Sequence, residues 1–216
     1  YGTFPFTLQI GDPHIIAALT HITTVADFRR RDLALGGQGA PFAPAFHQYL
    51  FRSPFQDRLV INIGGIANIT WLPGDPQQSV IGFDTGPGNT LLDTWCEEHT
   101  QRPFDNQGSW ASQGRVQHAL LNSWLQDPYF KKPYPKSTGR DYFHRKWLQP
   151  SLAREHYTPQ DVQATLSALT ARTISVAALA LTSHAPCDIF ICGGGVYNTF
   201  LFKQIQHQLP TYRVQT

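Results

Sequence analysis

The sequence predicts an α/β fold, and three observations carry that reading. Two short apolar runs, Leu59-Val60-Ile61-Asn62-Ile63 and Ser79-Val80-Ile81-Gly82-Phe83, have strand length and lead into glycines. Stretches with apolar residues at helical spacing separate or follow such runs. A third run, Asp188-Ile189-Phe190-Ile191-Cys192, passes through Gly193-Gly194-Gly195 into another helical stretch. Strands alternating with helices are the pattern of α/β architectures.

Taken in order, Thr7-Leu8-Gln9-Ile10-Gly11-Asp12 reads as a short strand and turn. Asp12-Pro13 opens a helix through Leu19, because proline suits a helix's first turn. Thr23-Thr24-Val25-Ala26-Asp27-Phe28 reads as a second strand running into Arg29-Arg30-Arg31-Asp32. These three cations fit a solvated loop paired with its own carboxylate, or a guanidinium fork for a carboxylate or phosphate. A loop follows at Leu35-Gly36-Gly37-Gln38-Gly39-Ala40-Pro41, then a helix over residues 44–51.

Beyond Leu59-Val60-Ile61-Asn62-Ile63, Ile66-Ala67-Asn68-Ile69-Thr70-Trp71 is another strand, and Pro73-Gly74-Asp75-Pro76 a turn. Asp84 is expected at the tip of the next strand, directly before a loop Thr85-Gly86-Pro87-Gly88-Asn89. The helix after it turns Leu91, Leu92, Trp95 and Cys96 inward, leaving Asp93, Glu97 and Glu98 on its other side. A helix over residues 113–125 buries Val116, Leu120, Leu121 and Trp124, and both Trp110 and Trp124 suit the core. Residues 127–141 form a long polar, proline-rich loop. Within it Lys136-Ser137-Thr138-Gly139-Arg140 has the composition of a phosphate loop but lacks the upstream glycine and spacing of a Walker motif. Thr158-Pro159-Gln160-Asp161 starts a helix reaching about Ser183. A last helix covers residues 198–209, and the chain closes on strand-like residues 212–216.

Composition narrows the class. With 216 residues, 41% hydrophobic and 15% charged, the chain has the make-up of a globular protein with a core. A net charge of +2 gives no electrostatic footprint for nucleic acid or an anionic membrane. No apolar run approaches the roughly 20 residues of a membrane span. Cys96, Cys187 and Cys192 are odd in number and lack zinc-ligand spacing, so buried free thiols in a reducing cytoplasm are expected. The chain contains no methionine, and both ends read as cut, so an internal piece of a longer protein is expected.

The chemistry concentrates at the glycines. Gly64-Gly65 between strands is either a hairpin or bulge, or bare backbone whose N–H groups face phosphate oxygens. Asp84 either caps a turn or is a reactive carboxylate at a ligand-binding strand end. A helix starting after Gly86, Gly88 and Asn89 would aim its N-terminal dipole at that site. Gly193-Gly194-Gly195 and Asn198 fit a tight turn and a nucleotide site equally well.

Two resemblances bear on these alternatives. Ile61-Asn62-Ile63-Gly64-Gly65-Ile66-Ala67-Asn68 resembles the second phosphate motif of the actin-like ATPase and sugar-kinase superfamily. Ile191-Cys192-Gly193-Gly194-Gly195-Val196-Tyr197-Asn198 resembles its adenosine motif. More specifically, the chain resembles the bacterial anhydro-N-acetylmuramic acid kinases at Leu8-Gln9-Ile10-Gly11-Asp12, Asp27-Phe28-Arg29-Arg30-Arg31-Asp32, Gly36-Gly37-Gln38-Gly39-Ala40-Pro41, Asp84-Thr85-Gly86-Pro87-Gly88-Asn89, Lys136-Ser137-Thr138-Gly139-Arg140 and Asp161-Val162-Gln163-Ala164-Thr165-Leu166.

That resemblance implies an actin-like, ribonuclease-H-like sugar-kinase fold of two domains, both incomplete in this chain: residues 1–56 end the first, and 57–216 make most of the second. It implies a reaction in which ATP, water and 1,6-anhydro-N-acetylmuramic acid give ADP and N-acetylmuramic acid 6-phosphate, in peptidoglycan recycling. Asp84 would activate the water. Gly64, Gly65, Asn68, Gly86, Gly88, Asn89, Gly193, Gly194, Gly195 and Asn198 would bind ATP with Mg²⁺, whose protein ligands stay unassigned. At least one of Arg29, Arg30 and Arg31 would meet the sugar's lactyl carboxylate. The family also implies a homodimer, and the cysteines a cytoplasmic setting. Its N-terminal Gly-Thr-Ser-Met/Leu-Asp-Gly loop, a Cys-His-Gly-Gln-Thr segment and a C-terminal stretch are absent, so these 216 residues are expected to be inactive alone. The alternative is an actin-like ATP-hydrolysing switch without a sugar, in which Asp84-Thr85-Gly86-Pro87-Gly88-Asn89 and the three arginines would have no role.

Overall fold

Five strands, β1 (Arg58–Ile63), β2 (Ile66–Leu72), β3 (Ile81–Pro87), β4 (Asp188–Cys192) and β5 (Arg213–Gln215), form one mixed sheet in the order β3-β2-β1-β4-β5. This is a computed structural model, and it describes residues 6–153, 155–182 and 187–216. β1 is central, antiparallel to β2 and parallel to β4. Its near-continuous apolar run follows from that place, since Leu59, Val60, Ile61 and Ile63 are all at most 2% exposed.

The chain divides into two units, Tyr1–Phe42 and Ala43–Thr216. The first contains α1 (Pro13–Thr20), capped by Asp12, which accepts from the N–H groups of His14 and Ile15, and α2 (Phe28–Ala34). The strands expected over residues 7–12 and 23–28 are not formed among the described residues; both segments lack regular structure up to α1 and α2. A strand needs a hydrogen-bonding neighbour, and the described residues of this unit form none. Phe28, expected to close a strand, opens α2 instead, after Asp27 in a left-handed conformation at φ 69°.

The second unit carries α3 (Ala43–Phe51), α4 (Asn89–Thr100), α5 (His118–Leu125), α6 (Pro128–Lys131), α7 (Arg145–Leu152), α8 (Pro159–Thr182) and α9 (Thr199–Gln208). The α/β class is borne out here. The helix expected over 113–125 is shorter: residues 111–113 make a 3-10 turn and α5 starts only at His118. Gly114 explains the break, because its Cα lies against α8, and a side chain there would fall 2.1 Å from the Gln160 carbonyl oxygen. The long 127–141 loop also contains the short α6.

α8 joins two hydrophobic cores. Its Ala171, Ile174, Ala178 and Leu181 pack with β1, β2, β4 and α9, while its Val162, Leu166 and Leu169 pack with Leu91, Trp124, Phe143 and Leu148. The helix is long and apolar enough to cross a membrane, contrary to the reading of the sequence, but 72% of its apolar window is buried inside the protein. Its hydroxyls bond largely back to the chain: Thr165 and Thr182 to carbonyls four residues earlier, Thr170 to the Pro87 carbonyl. Trp124 is buried as expected, and Trp110 is half-buried against the same cluster. Cys96 and Cys187 are buried free thiols; Cys192, expected to be buried, is exposed, because β4 ends there and the chain turns out into glycines.

Candidate functional site

β1 and β2 are joined by Gly64-Gly65 alone, so these glycines do form a tight hairpin. The hairpin leans on the start of α4. Gly64 accepts from the N–H of Asn89 at 2.8 Å, and Gly65 from those of Gly88 and Thr90, each at 3.0 Å. The first N–H groups of α4 are therefore used inside the protein, which corrects the expectation that they lie open to an anion. A trans peptide holds C=O and N–H antiparallel. Turning the Gly64 carbonyl toward α4 thus sends the N–H of Gly65 away from it. Gly88 has to be glycine for this packing, since a Cβ there would sit 2.3 Å from the Gly64 oxygen.

Asp84 does not stand at a strand tip. β3 continues through it to Pro87, and the segment expected as a loop is mostly strand. The strand is irregular at that point: Asn68 pairs with Asp84 and Ala67 with Gly86, leaving Thr85 as an extra residue. Such a bulge re-aims side chains and is frequent beside active sites. Asp84 is only 5% exposed. Its Oδ2 accepts from the Ser137 hydroxyl at 3.1 Å and from the Thr138 N–H at 3.0 Å. Its main chain is gripped as well, the N–H by the Lys136 carbonyl and the carbonyl by the Tyr129 hydroxyl at 2.6 Å. Burial, then the nearby Asp84 charge, push the Tyr129 phenol well above its ordinary range, so it stays a donor. Directly opposite Asp84 on β2, the Oδ1 of Asn68 is buried without a hydrogen-bond partner among the described residues.

The 136–140 loop that covers Asp84 is itself anchored. The Lys136 ammonium donates to the carbonyls of Tyr129 and Phe130 and lies 4.9 Å from the centre of the Tyr129 ring. Burial, then Lys132, hold its pKa below the usual lysine range. Gly86, two residues past Asp84, fits closely beneath Phe130.

The second glycine site closes over the first. β4 runs beside β1, which puts Gly193 against Asn62 and Ile63. Gly193 has φ 84°, a conformation that favours glycine. Gly194 begins a 3-10 turn to Tyr197 rather than an immediate helix, and Gly195 is buried on Ile63. Asn198 caps α9 by accepting from the Leu201 N–H. A cavity of about 630 Å³ opens here, lined by Asn89, Asp93, Asp105, Gly194, Tyr197 and Asn198 among others. A Cβ on Gly194 would meet only the Asn89 amide, at 3.7 Å, so bare backbone faces the cavity.

Asp93, on the polar side of α4 by its spacing, lines this cavity. Burial pushes its carboxyl up to about 6, partly countered by Arg140. The spacing could have revealed it, because residues four apart share a helix face and Asn89 precedes Asp93 by four. Tyr129 carries no such signal, and Ser137 and Thr138 stand out only as part of the 136–140 motif; all three meet Asp84 through folding of distant segments. Arg29, Arg30 and Arg31 lie on one turn of α2, where successive side chains diverge by about 100°. All three are exposed; Arg30 is paired with Asp27, and Arg29 and Arg30 line a cavity of about 890 Å³ with Gln9 and Asp12. Among the described residues no three His, Cys, Asp or Glu side chains cluster as a metal cage.

Comparison with known proteins identifies the family of the chain. A family model described as anhydro-N-acetylmuramic acid kinase matches residues 1–216. A relative of that name from Coxiella burnetii is 54% identical over 215 residues, covering 100% of this chain and 58% of its own length. Relatives of the same name from Vibrio vulnificus and Shewanella amazonensis are 50% and 49% identical, with 100% and 98% of this chain and 58% and 57% of theirs covered. One solved structure, an activator of the 2-hydroxyisocaproyl-CoA dehydratase from Clostridium difficile with bound ADPNP, is similar with a TM-score of 0.47 and 14% identity, over 81% of this chain and 57% of that one. The chain thus spans somewhat under three fifths of its curated relatives, and over its whole length it belongs to the anhydro-N-acetylmuramic acid kinase family.

Proposed function

We propose that this chain carries the nucleotide-binding and water-activating part of an ATP-dependent kinase with an actin-like fold. Its substrate is 1,6-anhydro-N-acetylmuramic acid, and its products are ADP and N-acetylmuramic acid 6-phosphate. Asp84 takes the proton of a water that attacks the anomeric carbon, and the freed 6-oxygen accepts the γ-phosphoryl group. The observation that supports this most is the setting of Asp84: a carboxylate on a bulged strand, held through Oδ2 by two donors.

The nucleotide reading rests on the cavity at Gly194, whose volume of about 630 Å³ suits a small-molecule ligand. In this reading Asn89, Gly194 and Asn198 line the nucleoside side, and the Gly65 N–H faces phosphate. The donor set suits a Mg²⁺ carried chiefly by the phosphates, with Asp84 or Asp93 adding at most a carboxylate oxygen. When bound, such a metal would supply positive charge to the phosphates. Arg29 or Arg30 binds the lactyl carboxylate. A cytoplasmic setting and a homodimer complete the reading; the sugar-free switch is set aside, since family membership argues for a sugar substrate.

The test is Asp84→Asn in the protein expressed from its complete gene, with ADP release followed in the presence and absence of the anhydro-sugar. Loss of sugar-dependent turnover with ATP binding retained is expected. Near-full rate in the variant would overturn the base assignment.

A further inference from the structure

We propose that Arg140 is the cation that meets the transferring phosphoryl group. The inference deepens the kinase reading above and rests on it. Three observations carry it. The guanidinium of Arg140 lies over the hairpin glycine, with Nε and Nη2 both 2.8 Å from where a Cβ of Gly65 would be. A side chain at position 65 would evict it, so the bare residue at this turn makes room for an arginine as well as for a phosphate. Second, the guanidinium is exposed, and no hydrogen-bond acceptor engages it among the described residues. A five-donor planar fork beside the turn assigned above to phosphate, without an acceptor among the described residues, is suited to bind phosphoryl oxygens bidentately.

Third, the loop delivering it is fixed at the opposite end to the reacting carboxylate. Ser137 and Thr138 hold Asp84 Oδ2, and Arg140 follows two residues later, across Gly139. One short segment therefore ties the general base of the proposed reaction to a positive charge at the phosphate turn. The half-buried Asp93, which lines the neighbouring cavity, feels the same guanidinium, so the charge of Arg140 lies within reach of this cleft. As the γ-phosphoryl group passes to the sugar 6-oxygen, the bond to the ADP oxygen breaks and the new P–O bond forms. Arg140 donates hydrogen bonds to the equatorial oxygens, stabilising their charge while its own proton count stays unchanged.

The experiment uses the protein expressed from its complete gene and compares wild type, Arg140→Ala and Arg140→Lys. Sugar-dependent ADP release, ATP affinity and thermal melting are measured, with and without added guanidinium ion. Arg140→Ala is expected to lower kcat by about a hundredfold or more, with ATP affinity changed by less than about threefold, since a contact made mainly in the transition state leaves ground-state binding intact. Free guanidinium should restore at least about a tenth of the lost rate by filling the vacated position. A folded Arg140→Ala protein with near-wild-type kcat, or a slow one that guanidinium does not rescue, would overturn the assignment. If Arg140→Ala does not fold, Arg140→Lys decides: it keeps the charge but loses the fork, so full rate in that variant overturns the proposal and a loss of tenfold or more supports it. A wild-type protein that never turns over with the sugar would instead refute the kinase reading itself.

Discussion

Ser137 donates its hydroxyl to Oδ2 of Asp84 at 3.1 Å across a sequence separation of 53 residues. Hydrogen bonds to an ionised carboxylate favour its charged form. Removing this donor makes the charged form harder to hold, so a base that must be ionised is lost at a higher pH. In Ser137→Ala the acid limb of kcat/KM is expected to move to higher pH. The rate above that limb should stay within a few-fold of wild type, and Ser137→Thr should restore the original profile. An unmoved limb would count against the contact.

Asp93 gives a stability prediction with a definite sign. Its folded-state pKa of about 6 lies above the ordinary 3.8, so the folded protein holds a proton there that the unfolded chain has released. Stability is therefore lost as pH rises from about 4 to 6, through the folded value. Asp93→Asn should be more stable than wild type at pH 7.5, by on the order of 1 kcal/mol once the partial solvent access of this carboxylate is discounted. At pH 4 the two should converge. Denaturant titrations at both pH values decide.

Gly88→Ala tests the seam between the hairpin and α4. The added methyl would sit 2.3 Å from the Gly64 oxygen and 3.1 Å from the Ala67 nitrogen, both backbone atoms that cannot swing aside. A loss of about 2 kcal/mol or more is expected, as for an overpacked site. A midpoint within error of wild type would mean that the hairpin yields more easily than this packing implies.

Among the three thiols only Cys192 is exposed, and desolvation at its site still holds its pKa above the ordinary value. Burial takes Cys187 up to about 12 and raises Cys96 as well. Maleimide should label one thiol in the native protein, slowly at pH 7 and faster at pH 9, and all three after denaturation. Cys192→Ser should abolish the native labelling.

The sequence was most legible where local rules decide. Asp12-Pro13 and Thr158-Pro159 mark helix starts through capping chemistry, and α1 and α8 begin there. β1 and β4 are apolar because they lie at the heart of the sheet, and both were readable as runs of branched residues. The extended segments of the first unit misled for the same reason, since β propensity cannot supply a missing neighbour. At Asp84 the apolar pattern stops where the hydrogen-bonded ladder does not. Asp84, Thr85 and Gly86 are strand residues, held by Ala67, Asn68 and Lys136, and no spacing rule foretells that. The glycine clusters were readable as backbone approaches, but what approaches Gly65 is an arginine from a loop 75 residues away.

The shared use of α8 has a consequence for how this unit comes apart. Its first half is held among α4, α5 and α7, its second among the strands and α9. Neither region can melt while the other keeps the rod intact, so loosening at one end is transmitted along about 36 Å of continuous backbone. Amides in the middle of α8, near Thr170, should exchange with deuterium only in global opening events, and the unit should lose its structure in a single cooperative step.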